Sequence, residues 1–340
     1  MNDLTDTLRR PLTIGNRTIN GRLVLAPMTY LGHVALRALI ASFGGFGLLF
    51  SEMCSAKRIP NENRNSSALY RWQAAELPYL VCQIVGTSPV VMAKAAGLIE
   101  AEGFFGVDIN FGCSVSNICK RNCGAALLRN PALAAGIVKA VREAVSIPLF
   151  VKFRTGWKDD PLLAVDLACR FEEAGADALT FHPRVAPDRR SRPPKWEYIR
   201  LVKKAVSIPV FGNGNVFSRQ DCRRMLNMTD CDGIAIGRMA VARPWILASW
   251  SQGLKVGPDI YLATALQLAD LLCEHFDEKR AVQRFKRFSL YFAANFRFGH
   301  TLHKRVCNAP DMIAIRGVLI SFFETPPEMS SSPNLNLFNN

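Results

Sequence analysis

The sequence predicts an α/β fold: a (β/α)₈ TIM barrel followed by a small C-terminal helical domain. Three observations carry this. Between residues 20 and 240, short apolar β-rich runs alternate with longer helical patterns, the signature of a parallel sheet with βα crossovers. Eight such runs over about 220 residues match the usual size of a (β/α)₈ barrel and exceed what a flavodoxin-like sheet uses. From about Pro258 the apolar residues fall at three- and four-residue spacing, with no further strand pattern.

The eight runs are Leu23 to Ala26, Gly47 to Ser51, Leu80 to Val85, Val107 to Phe111, Leu149 to Phe153, Ala178 to Phe181, Pro209 to Phe211 and Gly233 to Ile236. Several begin with the same turn chemistry. Ser146-Ile147-Pro148 and Ser207-Ile208-Pro209 each close a helix and feed a strand, and Ala174-Gly175-Ala176-Asp177 does so in another form. Beyond the barrel, Tyr261 to Phe276 and Val282 to Phe296 read as helices of a small bundle. Phe285, Phe288, Tyr291, Phe292 and Phe296 form its core stripe, and Arg284, Lys286 and Arg287 are expected to face outward. The chain thus divides into a barrel over 1–252, a helical domain over 253–325 and a Pro/Ser/Asn-rich disordered tail over 326–340.

Barrel enzymes build their sites from the βα loops at the C-terminal face, so the residues just after each strand are informative. In order these are Pro27-Met28-Thr29, Glu52-Met53, Gln83, Asn110 with Gly112-Cys113, Lys152 with Arg154, His182 with Arg184, Gly212-Asn213-Gly214-Asn215, and Gly237-Arg238. Any one could be a cap or a satisfied buried polar group; eight at one end of a barrel point to a site. The GNGN and IGR turns leave backbone N–H groups free after strands seven and eight, where such barrels usually hold a phosphate, and so imply a ligand such as flavin mononucleotide. No strand-linked G-x-G-x-x-G with a following acid is present, which argues against a resident dinucleotide. Lys152 could set its ammonium beside the electron-rich edge of a reduced flavin, or form a structural ion pair with Glu52.

The chain has 340 residues, 49% of them hydrophobic, enough for one large core and a smaller second one. The stretch MNDLTDTLRRPLTIGN has no apolar signal core, and no run reaches the roughly 18 apolar residues of a membrane span, so no membrane partner and a cytoplasmic location are expected. The ten cysteines are scattered and read as mostly reduced thiols. Net charge is +14, which suits a polyanion. From Lys279 to Arg316 nine Lys/Arg stand against one acid, Asp311, so the excess concentrates in the helical appendage. Such a stretch is either a solvated face or a nucleic-acid surface.

The strings LAPM (25 to 28), SEM (51 to 53), QIVG (83 to 86), DINFGC (108 to 113) with GAALLRNP (124 to 131), VKFRTGW (151 to 157), FHPR (181 to 184), GNGN (212 to 215) and IGRMAVARPWI (236 to 246) resemble, in order and spacing, the motifs of tRNA-dihydrouridine synthases. The likeness runs from about residue 11 to 250 and continues through AVQRFKRFSLYF, which is similar to the start of that family's helical tRNA-binding domain.

The resemblance implies that NADPH reduces FMN, that flavin N5 delivers hydride to C6 of a uracil flipped out of RNA, and that Cys113 gives the proton to C5. Ordinary thiols are still protonated at neutral pH and can serve as that acid. By the same carry-over, Ala26, Pro27, Met28, Gln83, Lys152, His182, Asn213, Gly214, Asn215, Gly237 and Arg238 match FMN-contacting positions. Asn110 and Arg154 match positions that read the uracil edge, which offers two carbonyls and one N–H. Arg184 is a candidate for ribose or phosphate contact. The expected partners are tRNA and NADPH, with the chain a monomer; the same chemistry on ribosomal RNA, or a free-pyrimidine FMN dehydrogenase, are the alternatives.

The chain departs from the family in places. Ser114 stands where the family usually has Pro, Ser116 and Asn117 occupy the region of a common lysine, and MTYLGH with His33 replaces an M-A-G-V-T-D pattern. Cys113, Cys119 and Cys123 match no standard metal spacing, and no metal is expected.

Overall fold

The computed structural model describes residues 3–188, 192–330 and 333. Eight parallel strands close on themselves: β1 (Leu23–Leu25), β2 (Leu48–Phe50), β3 (Leu80–Val85), β4 (Gly106–Phe111), β5 (Leu149–Gly156), β6 (Ala178–Val185), β7 (Val210–Asn213) and β8 (Gly233–Ile236). Each pairs with its sequence neighbour, and β8 returns to β1 through Ile234↔Leu23 and Ile236↔Leu25. Every strand begins within one residue of its apolar run.

The ends differ more. β5 and β6 run on to Gly156 and Val185, because Arg154 pairs in register with His182 and extends the ladder past the apolar segment. Lys152, Arg154, His182 and Arg184 therefore sit on strands and not in loops. Alternation along a strand then sorts the side chains. Phe111, Phe153 and Phe181 point outward: Phe153 stacks on Phe181 at 4.7 Å, and both Phe111 and Phe153 meet Phe171 of a covering helix at 5.3 and 5.5 Å. Asn110, Lys152, Arg154 and His182 lie on the opposite, interior face. Deeper in the barrel Phe50 meets Phe150 edge-on at 5.4 Å, in a core shared with Val24, Val81 and Phe211. Ile14 and Ile19 of an N-terminal hairpin (Leu12–Ile14 with Arg17–Ile19) join the same core.

The two Ser-Ile-Pro turns are built alike. Glu100 Oε1 accepts from Ser146 N, Ser146 Oγ and Ile147 N, and Glu172 Oε1 accepts from Ser207 N, Ser207 Oγ and Ile208 N. Asp177 accepts from Leu149 N while pairing with Arg142, and Asp232 accepts from Val210 N while pairing with Lys203. These bonds fix the entry to β5 and β7 at the face away from the candidate site, where a barrel's side chains serve stability.

Contacts divide the chain into two units, one ending at Pro27 and resuming over Phe46–Ile236, the other comprising Met28–Gly45 and the residues from Gly237 onward. The second unit holds α1 (Val34–Phe43), the short helix Arg238–Ala242 and the bundle α2 (Ile260–His275), α3 (Glu278–Phe292), α4 (Gly299–Asn308) and α5 (Met312–Phe323). Its core is the expected aromatic stripe: Phe285, Phe288, Tyr291, Phe292 and Phe296 are all buried, and the rings of Phe285, Phe288, Phe292 and Phe296 meet in succession.

Arg284 corrects the outward reading. It is buried, its guanidinium 4.4 Å from the Phe276 ring centroid and its Nη1 donating to Tyr30 O at 3.4 Å. Position 284 lies three residues after Ala281 and four before Phe288, hence on the inner stripe. Lys286 is half-buried and Arg287 is exposed. Of the expected disordered tail, Ser330 N donates to Asn295 O at 2.9 Å and Arg297 N to Glu328 O at 2.9 Å, while residues 331–332 and 334–340 lie outside those described. Among the described residues no helix is long and apolar enough to cross a membrane.

Candidate active site

β4 carries the sequence Asp108, Ile109, Asn110, Phe111, so Asp108 and Asn110 share the interior face with Gln83 of β3, which pairs with Asp108 in register. The three are chained by hydrogen bonds. Gln83 Nε2 donates to Asp108 Oδ2 at 2.6 Å, and Asn110 Nδ2 donates to Gln83 Oε1 at 2.8 Å. Asn110 Oδ1 then accepts from Gly112 N at 3.1 Å and Cys113 N at 2.9 Å. The chain runs from a fully buried carboxylate to the backbone of Cys113.

Lys152 and Asn110 are register partners across β4 and β5. Burial, then the nearby Arg154 guanidinium, lower the Lys152 ammonium from its ordinary range, while Asp108 and Cys113 act in the other direction. Burial raises the Asp108 carboxyl, opposed by the Gln83 hydrogen bond and the Lys152 charge. The acid acting on Lys152 is thus Asp108, which sequence reasoning passed over because it reads as one polar residue inside a strand. Arg154 Nε donates to Gly112 O at 2.6 Å, tying β5 to the Cys113 loop.

That loop needs Gly124. Its φ is +61°, and a Cβ there would stand 2.6 Å from Cys113 O. Cys113 O also accepts from Ala125 N at 2.9 Å, so the GAALLR turn and the cysteine are one packed unit. All ten cysteines are free, and no group of three or more His, Cys, Asp or Glu side chains converges among the described residues.

The loop after β7 approaches β6 closely. Gly214 has φ +119°, and a Cβ on it would lie 2.8 Å from His182 Cδ2, so only glycine lets this backbone meet the imidazole. Asn213 Nδ2 donates to Ala235 O at 2.7 Å, Trp196 Nε1 to Gly214 O at 2.8 Å, and Arg184 Nη2 to Asn215 Oδ1 at 3.0 Å. Asn215 is itself left-handed, with φ +53°. Arg184 is buried and joins this loop. Ala26 N donates to Ile236 O at 2.8 Å beside half-buried Pro27.

The remaining predicted residues lie in the second unit. Met28 O accepts from Leu31 N at 3.0 Å and from Gly32 N at 2.7 Å; Gly237 precedes Arg238–Ala242 and its carbonyl accepts from Ala240 N at 2.9 Å. His33 is a helix cap: its Nδ1 accepts from Leu36 N at 3.2 Å at the start of α1.

A family model described as dihydrouridine synthase (Dus) matches residues 24–296. The tRNA-dihydrouridine synthase B of Pseudomonas aeruginosa is 36% identical over 266 residues, covering 78% of this chain and 79% of the relative. A probable tRNA-dihydrouridine synthase of Rickettsia conorii is 34% identical over 269 residues, 78% of this chain and 80% of the relative. Among solved structures, TcOYE with pHBA superposes with a TM-score of 0.54 at 12% identity, over 74% of this chain and 94% of that one. A 2-naphthoyl-CoA reductase complex gives 0.57 at 14%, over 73% of this chain and about half (52%) of that one. These two likenesses reflect the barrel. With most of its length matched by the family model, and with relatives above 30% identity over four-fifths of their own length, this chain belongs to the dihydrouridine synthase family.

Proposed function

We propose that the protein reduces uridines of tRNA to 5,6-dihydrouridine, with FMN as bound cofactor and NADPH as reductant. The observation that carries this reading is the hydrogen-bonded chain from Asp108 to Cys113 on strands β3 and β4, with Lys152 and Arg154 on the next strand.

The barrel interior fits a flavin by its donor set. Gln83 Nε2 uses one hydrogen in the chain and retains a second, and the Lys152 ammonium adds a charge. Both suit a ring with carbonyl and nitrogen acceptors. Gln83, Lys152 and His182, with Ala26 and Pro27, would hold the ring and its side chain. The left-handed Gly214-Asn215 backbone with Asn213 would hold the phosphate. FMN held there and reduced by NADPH would supply the hydride for uracil C6.

Cys113 supplies the proton to C5. Its backbone N–H is fixed by Asn110 Oδ1, so the thiol is presented from a loop pinned to the end of β4. The Asn110 oxygen is filled by two backbone N–H groups, so this amide offers the base a donor, which a uracil carbonyl accepts. Arg154, anchored through Nε to Gly112 O, brings a second donor of fixed direction. Lys152 would stabilise negative charge on a reduced ring held beside it. Arg184 acts through Asn215 on the phosphate loop or on the ribose.

Tests are direct. The purified protein should be yellow, and mapping of dihydrouridine in all RNA from cells with and without this protein should show uridines in tRNA that lose the modification. Unchanged maps would refute the proposal; loss confined to ribosomal RNA would correct the substrate.

A further inference from the structure

The loop that carries Cys113 also walls an open cavity of about 420 Å³, which the uridine chemistry itself does not use. Ser114, Ser116, Cys119 and Lys120 line it from that loop, Arg129 from the end of the GAALLR turn and Trp157 from the segment after β5. We propose that this cavity is a phosphodiester subsite, holding the backbone of a nucleotide that flanks the target uridine. It rests on the RNA reading.

Three features argue for that ligand. The first is charge: two cations line the cavity and no carboxylate stands among its described lining residues. A free sugar or an apolar ligand has no use for two uncompensated cations, whereas a phosphodiester does. The second is the state of Arg129. Its guanidinium lies 3.5 Å from the centroid of the Trp157 ring, and Trp157 is itself fixed by Nε1 donating to Ala125 O at 2.6 Å. Stacking occupies the face of the guanidinium and leaves its in-plane N–H groups for a phosphate; it also immobilises a side chain that would otherwise lose rotamer freedom on binding.

The third is position. Ser114 directly follows Cys113, and Cys119 Sγ donates to Cys113 O at 3.6 Å, so the cavity wall and the thiol share one short loop. A uracil lying against Cys113 brings its neighbouring phosphates within a nucleotide's length of this wall. The hydroxyls of Ser114 and Ser116 can bond either phosphate or ribose. Ser114 stands where the family usually has proline, so a hydroxyl is offered where proline has none.

Cys119 makes the site readable without turnover. The probe is the trinucleotide UpUpU, with uridine as the control that lacks phosphate, and the readout is N-ethylmaleimide labelling of Cys119 by mass spectrometry. UpUpU should slow labelling severalfold while uridine at the same concentration should not, and Lys120→Ala with Arg129→Ala should abolish the protection. The same double variant should raise KM for tRNA roughly tenfold, at similar kcat, and flatten the salt dependence of binding by about one unit. Arg129→Lys, which keeps the charge but loses the stacked plane, should fall between. Both side chains are exposed, so folding should hold, and NADPH oxidation with an artificial acceptor checks it. Equal protection by uridine, protection that survives the double substitution, or an unchanged KM would overturn the subsite. Absence of dihydrouridine from the wild-type reaction would instead overturn the RNA reading, and the Cys119 footprint is scored independently of it.

Discussion

Gln83 donates from Nε2 to the buried Asp108 carboxylate at 2.6 Å, and this bond sets the direction of every hydrogen bond between it and Cys113. Burial raises the Asp108 carboxyl to about 7 against the Gln83 bond and the Lys152 charge; in its ionised form it can only accept, so Gln83 turns its N–H₂ toward it and its Oε1 toward Asn110. Asn110 must then present Nδ2 to Gln83 and Oδ1 to the Cys113 backbone. Asp108 is a positioning residue that acts through two amides.

Asp108→Asn introduces a group that can donate or accept, and the directions are no longer imposed. A hydrogen bond to a charged group is worth about 1.5–3 kcal/mol, so dihydrouridine formation should fall roughly tenfold to a hundredfold. Cys113 labelling by iodoacetamide should change as its loop loosens. A variant with wild-type product formation and wild-type labelling would show that the carboxylate directs nothing.

Gly124→Ala and Gly214→Ala separate the two halves of the site. The first drives a Cβ into Cys113 O and the second into the His182 ring, both from left-handed backbone. Gly124→Ala should keep its flavin and lose product formation, whereas Gly214→Ala should be isolated with less flavin. Full flavin retention by Gly214→Ala, measured by absorbance, would remove the GNGN loop from the cofactor site.

His33 makes the second unit sensitive to acid. Burial, with Arg284, Arg37 and His275 around it, holds its imidazole well below the usual histidine range, so the folded form is neutral. The unfolded chain protonates first as pH falls below about 6.5, and stability drops by about 1.4 kcal/mol per pH unit in that window. His33→Asn keeps a cap without a titrating ring. Its melting temperature should fall less than that of the wild type between pH 7 and pH 5.5; parallel curves would rule out His33 as the source.

The basic bundle should bind phosphates through its exposed cations. Lys279, Arg287 and Lys304 are exposed, and Arg287 stacks 3.7 Å over the ring of Tyr30. Changing the three to Glu should weaken RNA binding for all sequences alike and flatten its salt slope by close to one unit for each phosphate no longer held. Arg284→Ala should lower the melting temperature instead. Unchanged affinity of the triple variant in a salt titration would make the patch a solvated surface.

Most of this fold was legible because strand periodicity is local and shows in each apolar run, whereas the bonds that fix the two Ser-Ile-Pro turns come from Glu100 and Glu172, far away in sequence. Asp108 was not, since only the register of β3 on β4 reveals that it faces Gln83. Arg284 was misjudged because charge suggested solvent where helical phase placed it inside, a position stabilised by the Phe276 ring. The strand character of Arg154 and His182 likewise depends on their pairing with each other, which no single segment shows.

Uridine reduction with Cys113 as the proton donor is checked by incubating wild-type and Cys113→Ala protein with NADPH and tRNA lacking dihydrouridine, then measuring dihydrouridine by mass spectrometry and flavin reduction by absorbance. The wild type should form dihydrouridine and Cys113→Ala little, with flavin reduction by NADPH intact in both. No dihydrouridine from the wild type, or a full yield from Cys113→Ala, would contradict it.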